Sequence, residues 1–272
     1  MTLAEVLKGA ADYLSARGID TPRLDAELLL ARAVGLQRIE LYTQHDRPLT
    51  EAERGQAREL VRRRGAREPL AYVLGDWDFR RLTLKTDRRA LVPRPETEVL
   101  VERCLELLDG IETPRIVDVG TGTGAIALSL KHECPNAHVI ATDRSADALA
   151  LAQENREATG LDVELVETDL LDGLAGPFDL VVSNPPYVAA EELCALEPEL
   201  AHEPQDALVD RGQTQRLIES ARSGWLVLEV HEARASGVAT HMKDAGYSGV
   251  RVSQDLAGRD RIVEGRWTQQ AR

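Results

Sequence analysis

Apolar residues recur at helical spacing through the first 75 positions and in short, strand-like runs separated by helical stretches after position 115. Thr2 is placed to cap a helix whose apolar positions are Leu3, Val6, Leu7, Ala10, Ala11 and Leu14, ending near Gly18. Thr21-Pro22 opens a second helix carrying Leu24, Leu28, Leu29 and Ala33 towards Gly35. A short third is expected over 37–43, and Thr50-Glu51-Ala52-Glu53 reads as a capping box that begins a fourth. Residues 1–75 therefore read as a small helical bundle with no catalytic constellation, suited to recognising a partner or bracing a larger domain. The pattern changes over 76–93, where Trp77-Asp78-Phe79, Leu82-Thr83-Leu84-Lys85-Thr86 and Leu91-Val92-Pro93 suggest a β-hairpin linker. Pro95 then starts a helix with the stripe Val99, Leu100, Val101, Leu105 and Leu108, ending at Gly110.

From 115 onward strands are expected at 115–119, 138–142, 163–167, 178–183, 224–230, 248–253 and 260–266, with helices near 124–132, 145–158, 213–221 and 231–245. Such alternation predicts an α/β domain over 94–272 built on a mostly parallel sheet covered by helices. Ligands of such sheets bind across the carboxyl ends of the strands. Gly120, Asp143, Asp169 and Asn184 all fall at strand ends, and that convergence points to one site.

The run from Ile116 to Leu128 takes a β-branched strand into the turn Gly120-Thr121-Gly122-Thr123-Gly124 and on into an apolar helix start. Glycines there allow a tight turn and close approach of backbone to a ligand. Some 20 residues later Val139-Ile140-Ala141-Thr142-Asp143 reads as a second strand ending in an acid, placed to hold both hydroxyls of a ribose. Gly120-x-Gly122-x-x-Ala125 also satisfies a loose dinucleotide fingerprint, so a dehydrogenase stays in view. Asp118 tips the balance to S-adenosyl-L-methionine, because a carboxylate beside the turn would attract the ammonium of a methionine moiety and repel a pyrophosphate. Asp169 is open between accepting from an adenine amine and capping a turn. Arg94 and Glu96 are open between facing the site and starting a helix.

The tetrapeptide Asn184-Pro185-Pro186-Tyr187 follows the buried-strand pattern Phe178-Asp179-Leu180-Val181-Val182-Ser183. Asn184 offers a fixed carboxamide oxygen, and the two prolines fix φ and remove two N–H donors, so the loop presents carbonyls with few competing donors. Tyr187 adds a flat face for stacking. Together they form an acceptor-rich slot for a planar –NH2 group, either the exocyclic amine of a base or the side-chain amide of Asn or Gln. Such a slot has an evident use beside a methyl donor and none beside a nicotinamide.

Composition narrows the partners. Apolar residues make up 43% and charged residues 29% of the 272, the balance of an ordinary soluble protein long enough for one large domain and a smaller one. The first residues lack a basic segment followed by an apolar one, and no apolar run nears membrane-spanning length. A formal net charge of −13 argues against a nucleic-acid enzyme, whose affinity rests on neutralising phosphates, and suits a basic protein partner. The one basic cluster, Arg62-Arg63-Arg64 with Arg67, lies among Glu53, Glu59 and Glu68 and is expected to be a solvated face. Cys104, Cys134 and Cys194 are odd in number and lack metal-type spacing, as expected of three reduced thiols in a cytoplasmic protein. Competing readings are an amine methyltransferase of DNA or RNA, which shares the slot, and a non-catalytic binding module retaining the cofactor fold.

Asp118 to Ala127 together with Ser183-Asn184-Pro185-Pro186-Tyr187-Val188 resembles the HemK/PrmC family of peptide release factor glutamine methyltransferases. Leu91 to Glu98, His202-Glu203-Pro204 with Ala207-Leu208, and Asp255 to Arg261 are similar to it too, as are the helical N-terminal segment and the hairpin, so the resemblance spans nearly the whole chain. It implies a seven-stranded, Rossmann-like class I methyltransferase sheet with its last strand antiparallel, preceded by the bundle and linker. The implied activity is N5-methylation of the glutamine in the Gly-Gly-Gln motif of release factors, by a monomer without a metal. Cofactor contacts would map onto Gly120, Thr121, Gly122, Thr123, Gly124, Asp143 and Leu170, with Asn184 at the cofactor boundary. Glutamine contacts would map onto Asn184, Pro185, Pro186 and Tyr187, of which Asn184, Pro185 and Tyr187 would be catalytic. Leu170 stands where some relatives have an aromatic residue, and Val230-His231 replaces the usual small residue after Glu229.

Overall fold

The structure is a computed structural model describing residues 1–189, 191–192 and 196–268. It divides into two compact units, one of Met1–Asp76 with Glu197–His202, the other of Trp77–Leu196 with Glu203–Arg272.

The first unit contains α1 (Leu3–Ala16), α2 (Pro22–Val34), α3 (Glu40–Thr43), α4 (Glu51–Gly65) and α5 (Leu70–Leu74). Both capping boxes form: the Thr2 and Thr50 hydroxyls accept from the Glu5 and Glu53 amides, and those glutamates accept in return from the threonine amides. Each thereby satisfies donors that the first helical turn leaves open. The apolar stripes bury Leu3, Leu7, Leu14, Leu29, Leu30 and Leu41 against one another. The arginine cluster is not the solvated face its sequence suggests. Arg64 is buried, donating to Asp25 at 2.7 Å and to Glu199 at 2.8 Å, while Arg67 donates to the other Glu199 oxygen at 2.7 Å. Charges taken out of water persist only when paired, and both partners come from distant sequence. Arg62 does stay at the surface beside Glu59.

The hairpin β1 (Asp76–Phe79) and β2 (Leu82–Lys85), which pair as a two-stranded sheet, opens the second unit from Trp77 onward. Leu91-Val92-Pro93 takes no strand pairing and runs as loop into α6 (Pro95–Leu108). There follow β3 (Arg115–Val119), α7 (Ala125–Glu133), β4 (His138–Asp143), α8 (Ala146–Thr159), β5 (Glu164–Glu167), β6 (Leu180–Ser183), α9 (Gln205–Leu208), α10 (Gln213–Ser220), β7 (Trp225–Glu229), α11 (Glu232–Ala245), β8 (Tyr247–Gln254) and β9 (Asp260–Trp267). Seven of these strands form one sheet in the order β5-β4-β3-β6-β7-β9-β8, parallel except for β9, which runs antiparallel to β7 and β8. Helices cover both faces, so the central strands read as continuous apolar runs. Val182 and Val227 pack on the face shared with Leu100 of α6 and Leu128 of α7, whereas Val181, Leu226 and Leu228 pack on the face shared with Leu217 and Met242.

Cys104 and Cys134 are free thiols, and Cys194 lies outside the described residues. Among the described residues no helix is long and apolar enough to cross a membrane, and no cluster of three His, Cys, Asp or Glu side chains could hold a metal ion.

Gly224, immediately before β7, has φ of +56°, and a Cβ there would lie 2.3 Å from the Asp179 carbonyl oxygen. A left-handed side chain and a backbone clash act together, so Gly224→Ala should cost about 2–4 kcal/mol. Urea unfolding of the variant should show its midpoint falling accordingly, and an unchanged midpoint would refute this packing.

Candidate active site

The strand ends of β5, β4, β3 and β6 open onto a cavity of about 590 Å³ within the second unit, a size suited to a small-molecule ligand. Gly120, Thr121, Gly122 and Thr123 form one wall; Asp143, Asp169 and Leu170 form another; and Asn184, Pro185 and Pro186 close it. Gly120, Gly122 and Gly124 all have positive φ, at 72°, 56° and 83°. Gly124 lies outside the wall and serves the fold, since a Cβ there would crowd Leu128 at 3.1 Å. The Asp143 carboxylate accepts from the Gly122 amide at 3.0 Å and from the Ser145 amide at 2.9 Å. Burial pushes its pKa upward, and those amides oppose the shift. Leu170 holds φ of +56°, uncommon for a residue with a side chain, while its carbonyl accepts from the Thr142 hydroxyl at 3.1 Å. Asp169 lines the cavity and also pairs with Arg216 at 2.7 Å, so it belongs to the wall and to a surface ion pair at once.

Asp118 is placed differently from the direct ammonium contact its sequence position suggests. It is fully buried and outside the cavity wall, and one oxygen accepts from the Thr121 hydroxyl at 2.6 Å and from the Ala127 amide at 3.1 Å. It thus braces the glycine turn against the first turn of α7. Burial, with Asp143 nearby, raises its pKa to about 7.

Asn184 continues β6 beyond Ser183 beside β7, where Ser183 is in register with Leu228. Its Nδ2 donates to the Thr97 hydroxyl at 3.2 Å, and its buried Oδ1 has no hydrogen-bond partner among the described residues. An acceptor left open this way in a cavity wall is costly unless a ligand donor meets it. Tyr187 does not share the large cavity with Asn184. It lines a smaller one of about 250 Å³, with Pro185, Glu229 and Val230, and its ring centroid lies 6.1 Å from that of His231. His231 also caps α11 by accepting from the Ala233 amide at 3.3 Å, so this departure from the family pattern supplies both a helix cap and an aromatic neighbour.

Three contributors escape a reading of the sequence: Thr97, Glu229 and Glu203. Thr97 is buried two residues after Pro95, Glu229 terminates β7 with 1% exposure, and Glu203 accepts from the Val92 amide at 3.1 Å and from Arg94. The available signal was a lone polar residue closing a buried apolar strand, which β7 shares with β4. Arg94 lines the cavity, whereas Glu96 pairs with Arg259 at 3.0 Å.

Glycine turn, strand-terminal acid and Asn-Pro-Pro-Tyr loop on this sheet order define a class I methyltransferase domain. Residues 5–75 match the family described as PrmC N-terminal domain, and residues 96–243 match the Methyltransferase small domain. A "Release factor glutamine methyltransferase" of Deinococcus radiodurans is 41% identical, with 98% of this chain and 99% of that protein aligned. One of the same description from Salmonella typhimurium is 38% identical over 93% of this chain and 95% of that protein. The fold is shared with the Thermus thermophilus 16S rRNA N2 G1207 methyltransferase, solved in complex with AdoMet and guanosine, at a TM-score of 0.54 and 16% identity over 71% of this chain and 50% of that one. The chain belongs to the release factor glutamine methyltransferase family.

The Asp118 pKa is raised on folding from 3.8 to about 7, so its contribution to stability is complete below pH 3.8 and lost as pH rises through 7. Asp118→Asn, neutral at every pH, should therefore gain in melting temperature relative to the parent between pH 5 and pH 8. The gain should be at most about 1.4 kcal/mol per pH unit. A difference in melting temperature that stays constant across that range would contradict a buried, proton-binding Asp118.

Proposed function

We propose that the chain transfers the methyl group of S-adenosyl-L-methionine to the side-chain amide nitrogen of the glutamine in the Gly-Gly-Gln motif of peptide chain release factors. The observation that carries this reading is the Asn184 carboxamide, in a residue that lines the cavity, held by Thr97 through its nitrogen and with its buried oxygen unpartnered among the described residues. Membership of the family supports the substrate class. Bound S-adenosyl-L-methionine supplies an electrophilic methyl carbon on a positively charged sulfur.

The residues present fit that cofactor. Asp143 ends β4 where ribose hydroxyls would donate, the glycine turn allows close backbone approach, and Leu170 and Asp169 lie on the wall for the adenine. An amide nitrogen is a poor nucleophile because its lone pair is delocalised into the carbonyl. The Asn184 Oδ1 and the Pro185 carbonyl accept the two hydrogens of the glutamine amide, orient its nitrogen and favour the positive charge that develops on it. Positioning and aimed dipoles supply the rate enhancement. Tyr187 packs against the carboxamide from the side of the smaller cavity. The proton leaves the nitrogen once the new bond has formed, so no metal and no covalent nucleophile enter the scheme. The helical unit recognises the release factor, and the enzyme acts in the cytoplasm as a monomer.

Transfer of labelled methyl from the cofactor to full-length release factor should be seen with the parent protein and be absent with a release factor lacking the target glutamine. Asn184→Ala should lower kcat by about two to three orders of magnitude while the cofactor Kd changes little. Full turnover by that variant, or equal labelling of both release factors, would overturn the assignment.

A further inference from the structure

Val227 and Val182 lie on the α6 face of the sheet, and Glu229 and Asn184 stand two residues beyond them on adjacent parallel strands. Side chains two residues apart along a strand share a face, so both point towards Thr97 of α6. The Glu229 carboxyl is 1% exposed and leaves Oε2 without a partner among the described residues, and Thr97 and Asn184 are polar neighbours that both oppose the rise in its pKa. A hydroxyl can accept from the Asn184 Nδ2 and donate to a carboxylate, and a carboxamide has two N–H donors and one oxygen acceptor. In this arrangement the nitrogen of Asn184 meets the Thr97 hydroxyl on the side of the sheet where Glu229 stands, and its oxygen meets no partner among the described residues. Rotating the amide by half a turn would set its oxygen against the carboxylate, acceptor against acceptor.

We propose that Glu229 is a positioning residue that, through Thr97 and directly, locks the Asn184 carboxamide with its oxygen presented to the incoming glutamine amide. It rests on the methyl-transfer reading above and adds to it the element that decides which end of Asn184 the substrate meets. The lock is strongest when Glu229 is ionised, since a carboxylate repels the flipped oxygen and a carboxylic acid can donate to it. Burial raises its pKa to about 7, with Thr97, Arg261 and Asn184 opposing the rise and Glu96 adding to it. Tyr187 from the loop after β6 is a further titratable neighbour, and Asp210, Arg234 and His241 line the smaller cavity that Glu229 borders.

The experiment compares the parent with Glu229→Gln, Glu229→Ala and Thr97→Val, measuring methyl transfer to full-length release factor from pH 6 to pH 8.5, with cofactor Kd and melting temperature measured in parallel. Glu229→Ala should lower kcat by about 30- to 100-fold, as expected for loss of a group that fixes reacting geometry, with release-factor KM and cofactor Kd within about threefold. Glu229→Gln, whose amide oxygen can accept from Asn184 and Thr97, should keep activity within about tenfold and lack the rise in kcat expected of the parent through pH 7. Thr97→Val should lose kcat as Glu229→Ala does. The inference falls if the Gln variant retains the parent's pH profile, or if Glu229→Ala leaves kcat unchanged or lowers it only through cofactor Kd. Should Glu229→Ala fail to fold, the Gln profile and Thr97→Val decide alone. If the parent itself transfers no methyl group to release factor, the functional reading fails first, and the two failures are thereby distinct.

Discussion

Four neighbouring strands of a sheet covered on both faces each carry a polar side chain at or beside their carboxyl end: Asp143 on β4, Asp118 on β3, Asn184 after β6 and Glu229 on β7. Everything else at this edge follows from the need to satisfy those groups away from bulk water. Asp118 spends one oxygen on the glycine turn and Asp143 spends both on backbone amides, and the turn is held in shape as a result. Asp118, Asn184 and Glu229 each keep one oxygen without a partner among the described residues. An unmet acceptor in a protein interior is costly, and of these three residues only Asn184 lines the large cavity.

The same edge explains the charge states. Asp118 and Glu229 are each pushed to about 7 chiefly by burial, and neither has an ion-pair partner as close as those that Arg64 or Arg94 enjoy. Stability and reactivity are therefore coupled through pH. Both groups stabilise the fold when protonated, with stability lost as pH climbs through 7, while the ionised form of Glu229 is the one that orders Asn184. A protein working near neutrality carries that tension at its active edge.

Much of the site was legible in the chain because its chemistry is carried by main chain. Glycines that permit positive φ and prolines that remove donors announce themselves by residue type, so the turn at 120–124 and the loop at 184–187 could be read directly. The strand-terminal acid Asp143 was equally visible, since period and polarity break at the same residue. What could not be read depends on register across the fold. Thr97 matters because α6 lays it against β6 and β7, 87 residues from Asn184. Glu203 matters because it meets Val92 and Arg94, 111 and 109 residues away. Asp118 was seen as important but assigned outward, because a sequence gives the strand position and not which way a buried carboxylate finds its donors. The arginine cluster misleads for a related reason: local acidic neighbours suggest a solvated surface, whereas Arg64 is committed to Asp25 and Glu199.

Glu199 has one more implication. The segment Glu197–His202 belongs to the helical unit although it follows the loop that carries Asn-Pro-Pro-Tyr, so that unit is assembled from two separate stretches of chain. Cutting after Asp76 would release a bundle in which the buried Arg64 retains Asp25 and forfeits its second counter-charge, and Arg67 forfeits its carboxylate. The bundle is thus not a portable cassette: in grafts or exchanges between relatives, its inheritance is tied to the far stretch that supplies Glu199.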